Sequence, residues 1–291
     1  MNILEDLKSN FKQGNMLTKL IFINVGVFLL AKIIIVIGNL SQSNFEYYIL
    51  EYFAMPSGAR DFLFRFWTAI TYMFLHTGFL HLLFNMLWLY WMGKIFIDLL
   101  NGRRLLAVYL LGGFSGALLY MLVYNLLGYD SHPLLGASAG VMSVVIATAV
   151  YFPNYTIYLM FIGPVKLKYL GAAAIVLDVI TLDDGNFGGH IAHFGGEIFG
   201  FIWASKLKNG TDIAKGFSNF CDSFFSIFKP KSKVKVHYRN ESGSSRTTNQ
   251  EKSNAVSQKE IDIILDKIAK SGYNSLTKEE KEVLFKMSSK K

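Results

Sequence analysis

The chain has 291 residues and is 52% hydrophobic, 15% aromatic and only 17% charged, with a mean hydropathy of +0.33. Soluble globules carry about 25% charged residues, so that class is excluded, and the apolar excess fills residues 17–207 before giving way to a polar tail. The net charge of +8 does not argue for nucleic acid. Much of it lies in the run KPKSKVKVHYR at 229–239, which suits anionic headgroups or a topology signal.

In chain order, residues 1–17 form a polar, amphipathic segment without the pattern of a cleaved signal, so the first span is its own signal. Six apolar segments follow, at 18–38, 67–93, 104–128, 138–153, 158–181 and 190–206. Each is near the roughly 20 residues that cross a bilayer. Lipid excludes open strands and period-2 alternation is absent, so helices are expected. The expected fold is an all-α membrane protein, a six-transmembrane-helix bundle over 18–207. Lys8, Lys12, Arg103, Arg104, Lys166, Lys168, Lys206 and Lys208 fall on one side. The other side receives Arg60 and Arg65 with Glu46, Glu51, Asp130, Asp183 and Asp184. That bias predicts a multi-pass protein of the cell (inner) membrane with both termini cytoplasmic. Asp98 and Arg103 are expected to pair at the inner surface.

Residues 208–255 read as a juxtamembrane segment and linker: 211–228 is Phe-rich and amphipathic, and 240–255 is polar. Residues 256–291 read as a small helical, cytoplasmic appendage. Ser257 with Glu260, and Thr277 with Glu280, have capping-box spacing, and Ile261, Ile264, Leu265 and Ile268 form one apolar stripe. The single cysteine, Cys221, rules out a disulfide framework and reads as an incidental thiol.

Chemistry concentrates in three distant segments. LLGASAGVMSVV at 134–145 opens the fourth span with Ser138, AHFGGEIFG at 192–200 carries His193, and HTGFLHLLFN at 76–85 carries His81 and Asn85. In the expected topology all of these lie at one depth, near the outer face. Polar groups inside membranes are rare and usually face the bundle interior. The small-residue ladder Ala192, Gly196, Gly200, and the pair Gly136 and Gly140, would let helix backbones approach closely. Close approach would bring Ser138 Oγ within hydrogen-bond reach of His193, the minimum apparatus of nucleophilic acyl transfer. His81 and Asn85, four apart on one helix face, could join the Ser138 backbone N–H in an oxyanion hole.

These three segments resemble, in order, spacing and placement, the signature segments of the rhomboid family of intramembrane serine proteases. The resemblance covers about residues 15–207. It implies a Ser138–His193 dyad, an oxyanion hole at His81, Asn85 and Ser138, and an outer structural or oxyanion-adjacent role for His76. It also implies transmembrane protein substrates cleaved near the outer face of the bilayer. Two positions depart from it: Trp67-Thr68 stands where many members carry Trp-Arg, and Asp98 stands where Glu is expected.

Alone, Ser138 would read as a packing residue; the company of His193, His81 and Asn85 reverses that reading. His190 reads as interfacial and His132 as solvated. Asp178 reads as solvated or paired. Glu197 stays open between a third catalytic member and a buried acid that is protonated or bonded to a neighbouring helix. The histidines lack His-Glu-x-x-His spacing, so no metal is expected, and no phosphate loop or other cofactor signal is present. The loop 181–189, TLDDGNFGG, is expected to cap the site, and the fifth span to gate it sideways. A non-catalytic rhomboid-like protein that binds client helices is the alternative. An α/β-hydrolase elbow is disfavoured because no strand precedes Ser138. The oligomeric state is left open.

Overall fold

The computed structural model describes residues 3–129, 132–160, 162–183, 185–227 and 252–288. Asp130, Asp184, the basic run at 229–239 and most of the 240–255 linker lie outside the described residues. The chain divides into two compact units, Met1–Pro230 and Lys231–Lys291.

Among its described residues the regular structure of the first unit is helical apart from one hairpin and an isolated bridge between Met55 and Leu134. An amphipathic helix, α1 (Ile3–Gln13), precedes α2 (Met16–Leu40), whose first turn is capped by Asn15 accepting from the Thr18 N–H. Leu17, Leu20, Asn24 and Phe28 recur at helical spacing on the one buried face of α2; Leu29, Leu30, Ile33 and Ile37 are exposed. An apolar face of that extent suits hydrocarbon, not water.

A long excursion follows, built from α3 (Phe45–Phe53), α4 (Ala59–Phe64), α5 (Thr68–Thr71) and the 3₁₀ turn Tyr72–Phe74. It is held by Arg65, which pairs with the Glu51 carboxylate, and by Trp67 Nε1, which donates to the Tyr52 carbonyl at 2.8 Å. Thr68, where a family arginine was expected, instead donates to the Arg65 carbonyl at 2.6 Å.

The bundle comprises α6 (Phe79–Leu99), α7 (Gly102–Leu127), α8 (Ser138–Tyr151), α9 (Leu167–Ile180) and α10 (Phe187–Lys208). At its end α11 (Lys215–Ile227) is tied down by Asp212, which accepts from Arg104 Nε at 2.9 Å and Trp203 Nε1 at 3.1 Å. Among the described residues, α2, α6 and α7 are long and apolar enough to cross a membrane, and α8 is a shorter apolar helix. At 14 residues α8 is only about 21 Å long. It sits in the middle of the bundle, packed on α6, α7, α9 and α10, and most of its residues are buried.

In the first unit four expectations differ from what is observed. The second apolar segment is not one helix from 67: two short turns precede α6, and Gly78 in extended backbone starts it at Phe79. The fifth segment is not helical from 158. β1 (Thr156–Leu159) pairs antiparallel with β2 (Gly163–Lys166), so the fold is mostly rather than wholly helical. Gly163 at φ +90° and Pro164 stop a helix there, and β-branched and aromatic residues fill the strands. Asp98 does not meet Arg103, which pairs with Asp222 of α11. Gly136 and Gly140 are not a helix ladder, because Gly136 at φ +135° precedes α8.

The second unit holds α12 (Lys252–Ser271), a 3₁₀ turn at Tyr273–Ser275, and α13 (Lys278–Ser288). Thr277 and Glu280 form the expected capping box, with Thr277 N–H donating to Glu280 Oε2 at 2.8 Å and Glu280 N–H to Thr277 Oγ1 at 3.3 Å. Ser257 is no cap, since α12 already begins at Lys252.

Candidate active site

Ser138 stands at the first residue of α8, where helix N–H groups have no intrahelical partner and the helix dipole is positive. The loop reaches it through Gly136, whose N–H donates to the Tyr72 carbonyl at 3.0 Å. Its φ of +135° suits glycine alone, and a Cβ there would lie 3.0 Å from His81 Cε1. Glycine therefore lets the His81 ring approach the chain beside Ser138.

Helix α10 closes on α8 through the anticipated small residues. A Cβ on Gly196 would lie 2.0 Å from the Ala139 carbonyl oxygen, and one on Gly200 2.3 Å from that of Ser143. Gly116 of α7 meets Ala192 in the same way, at 2.6 Å from its carbonyl oxygen, while Gly140 lies against Tyr109 of α7. These contacts bring three helix axes together around the start of α8.

Ser138, His193, His81 and Asn85 all line one cavity of about 870 Å³. His81 Nδ1 hydrogen-bonds Thr77 Oγ1 at 3.1 Å, and Asn85, buried, donates from Nδ2 to the His81 carbonyl at 2.9 Å. His76 is buried and packs edge-on against His81, ring centroids 5.1 Å apart. Leu182, Asp183, Gly185 and Asn186 of the expected capping loop also border the cavity. Among the described residues no direct hydrogen bond joins Ser138 to His193; the two share the cavity wall. Catalytic hydrogen bonds are often long in ligand-free structures and tighten in the complex.

His193 is instead held from its other side. Its Nδ1 lies 2.8 Å from Asp178 Oδ1, and His190 Nδ1 lies 2.7 Å from the same oxygen. Asp178, on α9, is 6% exposed, so of the two readings left open for it, paired is the one observed. Sequence reasoning missed its link to His193. The available signal was a lone acid inside an apolar helix, 15 residues before the histidine. Glu197 is buried one turn along α10 from His193, with its carboxyl beside that of Asp178. A nucleophile at a helix start, an imidazole anchored by a carboxylate, and donors near both are the parts of acyl transfer.

A rhomboid-domain family model matches residues 63–209, and a family of unknown function (DUF6576) matches residues 246–290. The chain is 28% identical over 160 residues to RHOMBOID-like protein 12, mitochondrial, of Arabidopsis thaliana, covering 50% of this chain and 48% of that one. It is 29% identical over 133 residues to Presenilin-associated rhomboid-like protein A, mitochondrial, of Danio rerio, covering 45% of this chain and 34% of that one. The chain thus matches less than half the length of each relative. Both relatives are mitochondrial by name, which overturns the expected cell-membrane location with cytoplasmic termini. Lys and Arg bias distinguishes the two sides of a membrane but not which membrane it is. Because the rhomboid-domain match takes in just over half of the 291 residues, including every segment around the cavity, the chain belongs to the rhomboid family.

Proposed function

We propose that the chain is an intramembrane serine endopeptidase that cleaves membrane-spanning segments of protein substrates at the mouth of the cavity. The observation that carries this reading is the 2.8 Å contact of His193 Nδ1 with Asp178, on a ring that borders the same cavity as Ser138. With the Nδ1 proton committed to the carboxylate, Nε2 is the nitrogen left to act as base. His193 takes the Ser138 proton as Oγ attacks the scissile carbonyl, then gives it to the departing amine. Water from the cavity hydrolyses the acyl-enzyme by the same route in reverse.

The developing oxyanion is received by the Ser138 backbone N–H, Asn85 Nδ2 and His81. One such donor is worth on the order of 10²–10³-fold in kcat. His76 supports His81 by packing, and Asp178 is a positioning residue. The scheme calls on no cofactor. In this reading α2, α6, α7, α8, α9 and α10 are the six spans, short α8 being shielded from lipid by its neighbours.

The test is cleavage of a reporter transmembrane substrate by protein reconstituted in liposomes. Ser138→Ala and His193→Ala should each abolish it. Undiminished cleavage by either variant rejects the scheme, and a wild-type chain that binds substrate helices without cutting them supports the non-catalytic alternative.

A further inference from the structure

Orienting His193 requires one contact to Asp178, yet the carboxylate oxygen receives two imidazoles. His190 and His193 are three residues apart on α10 and so share a helix face. Asp178 reaches them from α9. The three ligand-capable atoms lie within 4.8 Å of one another, on side chains that are 12%, 16% and 8% exposed. A second buried acid marks the place: the Glu197 carboxyl lies beside that of Asp178. Two imidazoles and a carboxylate are a ligand set suited to borderline divalent metals.

From this geometry we infer that Asp178, His190 and His193 form an inhibitory site for a borderline divalent cation, of which Zn²⁺ is the type. Tetrahedral zinc with bonds of about 2.0–2.1 Å holds its ligands about 3.3 Å apart. The present Nδ1–Oδ1 contacts of 2.7 and 2.8 Å need open only slightly. Of the three ligands only His193 borders the cavity, and it does so with the ring edge opposite the cluster.

The inhibition follows from the tautomer, and it rests on the reading of His193 as the base. Without metal each neutral ring carries its proton on Nδ1 and donates it to Asp178. On binding, the Nδ1 lone pairs and the carboxylate oxygen bond the cation, both Nδ1–H contacts are lost, and each ring proton moves to Nε2. No electron is transferred and no net proton is released. His193 then presents an N–H, not a lone pair, toward the cavity and can no longer take the Ser138 proton.

The experiment uses the full chain in detergent micelles with two readouts. Co²⁺ absorption reports binding, and fluorophosphonate labelling of Ser138 reports the base. One equivalent of Co²⁺ should give a d–d band that Zn²⁺ displaces, and Zn²⁺ should suppress labelling until EDTA restores it. His190→Asn keeps a donor near Asp178 but weakens the metal site. It should lose the band and need at least tenfold more Zn²⁺ for half-inhibition, relative to its own zinc-free rate. His190→Gln is the second variant should the first fail to fold. No stoichiometric band, or unchanged zinc sensitivity in the His190 variants, overturns the proposal. Zinc-insensitive labelling without a band sinks the metal site and leaves the protease reading. A band on a chain that never labels at Ser138 sinks the protease reading and leaves the metal site.

Discussion

Asp178 is the residue on which the geometry turns. A carboxylate in an apolar helix is costly unless it is bonded, and two imidazole donors meet that need at one oxygen. Asn at this position keeps the shape but offers the ring a mixed donor and acceptor, so the wrong tautomer of His193 becomes accessible. Asp178→Asn should lower kcat for the reporter substrate by on the order of 10²–10⁴-fold with KM little changed. Equal kcat would remove Asp178 from the account. Ser138, His193, His81 and Asn85, which line one cavity, could be grouped from sequence because each lies near the start of an apolar segment. Asp178 could not, because nothing local pairs a residue of α9 with one of α10; the contact exists only once the helices pack.

Glycines set the approach of α10 to α8, and this was visible as a small-residue ladder in the sequence. The space left is nil: an added methyl at Gly196 would collide with the backbone oxygen of Ala139, which cannot rotate away. Gly196→Ala should therefore push the helices apart, destabilise the protein by about 1–3 kcal/mol and depress cleavage. Thermal unfolding in detergent measures the first effect, and an unshifted midpoint would contradict the packing described. The hairpin at 156–166 was hidden in the sequence because its apolar strands continue the composition of α9, and only Gly163 and Pro164 interrupt it.

The capping box of α13 makes an independent prediction about pH. Bonds from Lys267 Nζ at 2.9 Å and from the Thr277 N–H hold the Glu280 carboxyl below its ordinary range. A depressed carboxyl stabilises the fold above its unfolded value, near 4.5, and that contribution is lost as pH falls through the folded value. Hydrogen exchange at the first turn of α13 in the full chain should accelerate, after correction for intrinsic rates, below about pH 4.5. It should be insensitive to pH between 6 and 8. Glu280→Gln should flatten the acid response.

For the whole molecule, the organising fact is a cavity that gathers Ser138, His193, His81 and Asn85 inside an apolar bundle. Helix α8 starts at that cavity, and its first residue is the serine. The order of apolar segments was legible from composition, because helices buried in the bundle and helices with exposed apolar faces are alike rich in apolar residues. The excursion between α2 and α6 was not, since its short turns are fixed by Arg65 and Trp67 reaching across sequence. The membrane in which the chain resides was also beyond the reach of charge bias.

The most direct test of the central claim is to treat the intact protein in liposomes with a fluorophosphonate and locate the adduct by peptide mass spectrometry. Modification at Ser138 that disappears in His193→Ala and weakens in Asp178→Asn is the predicted result. An unlabelled Ser138 in active preparations, or labelling that persists at full rate without His193, would contradict it.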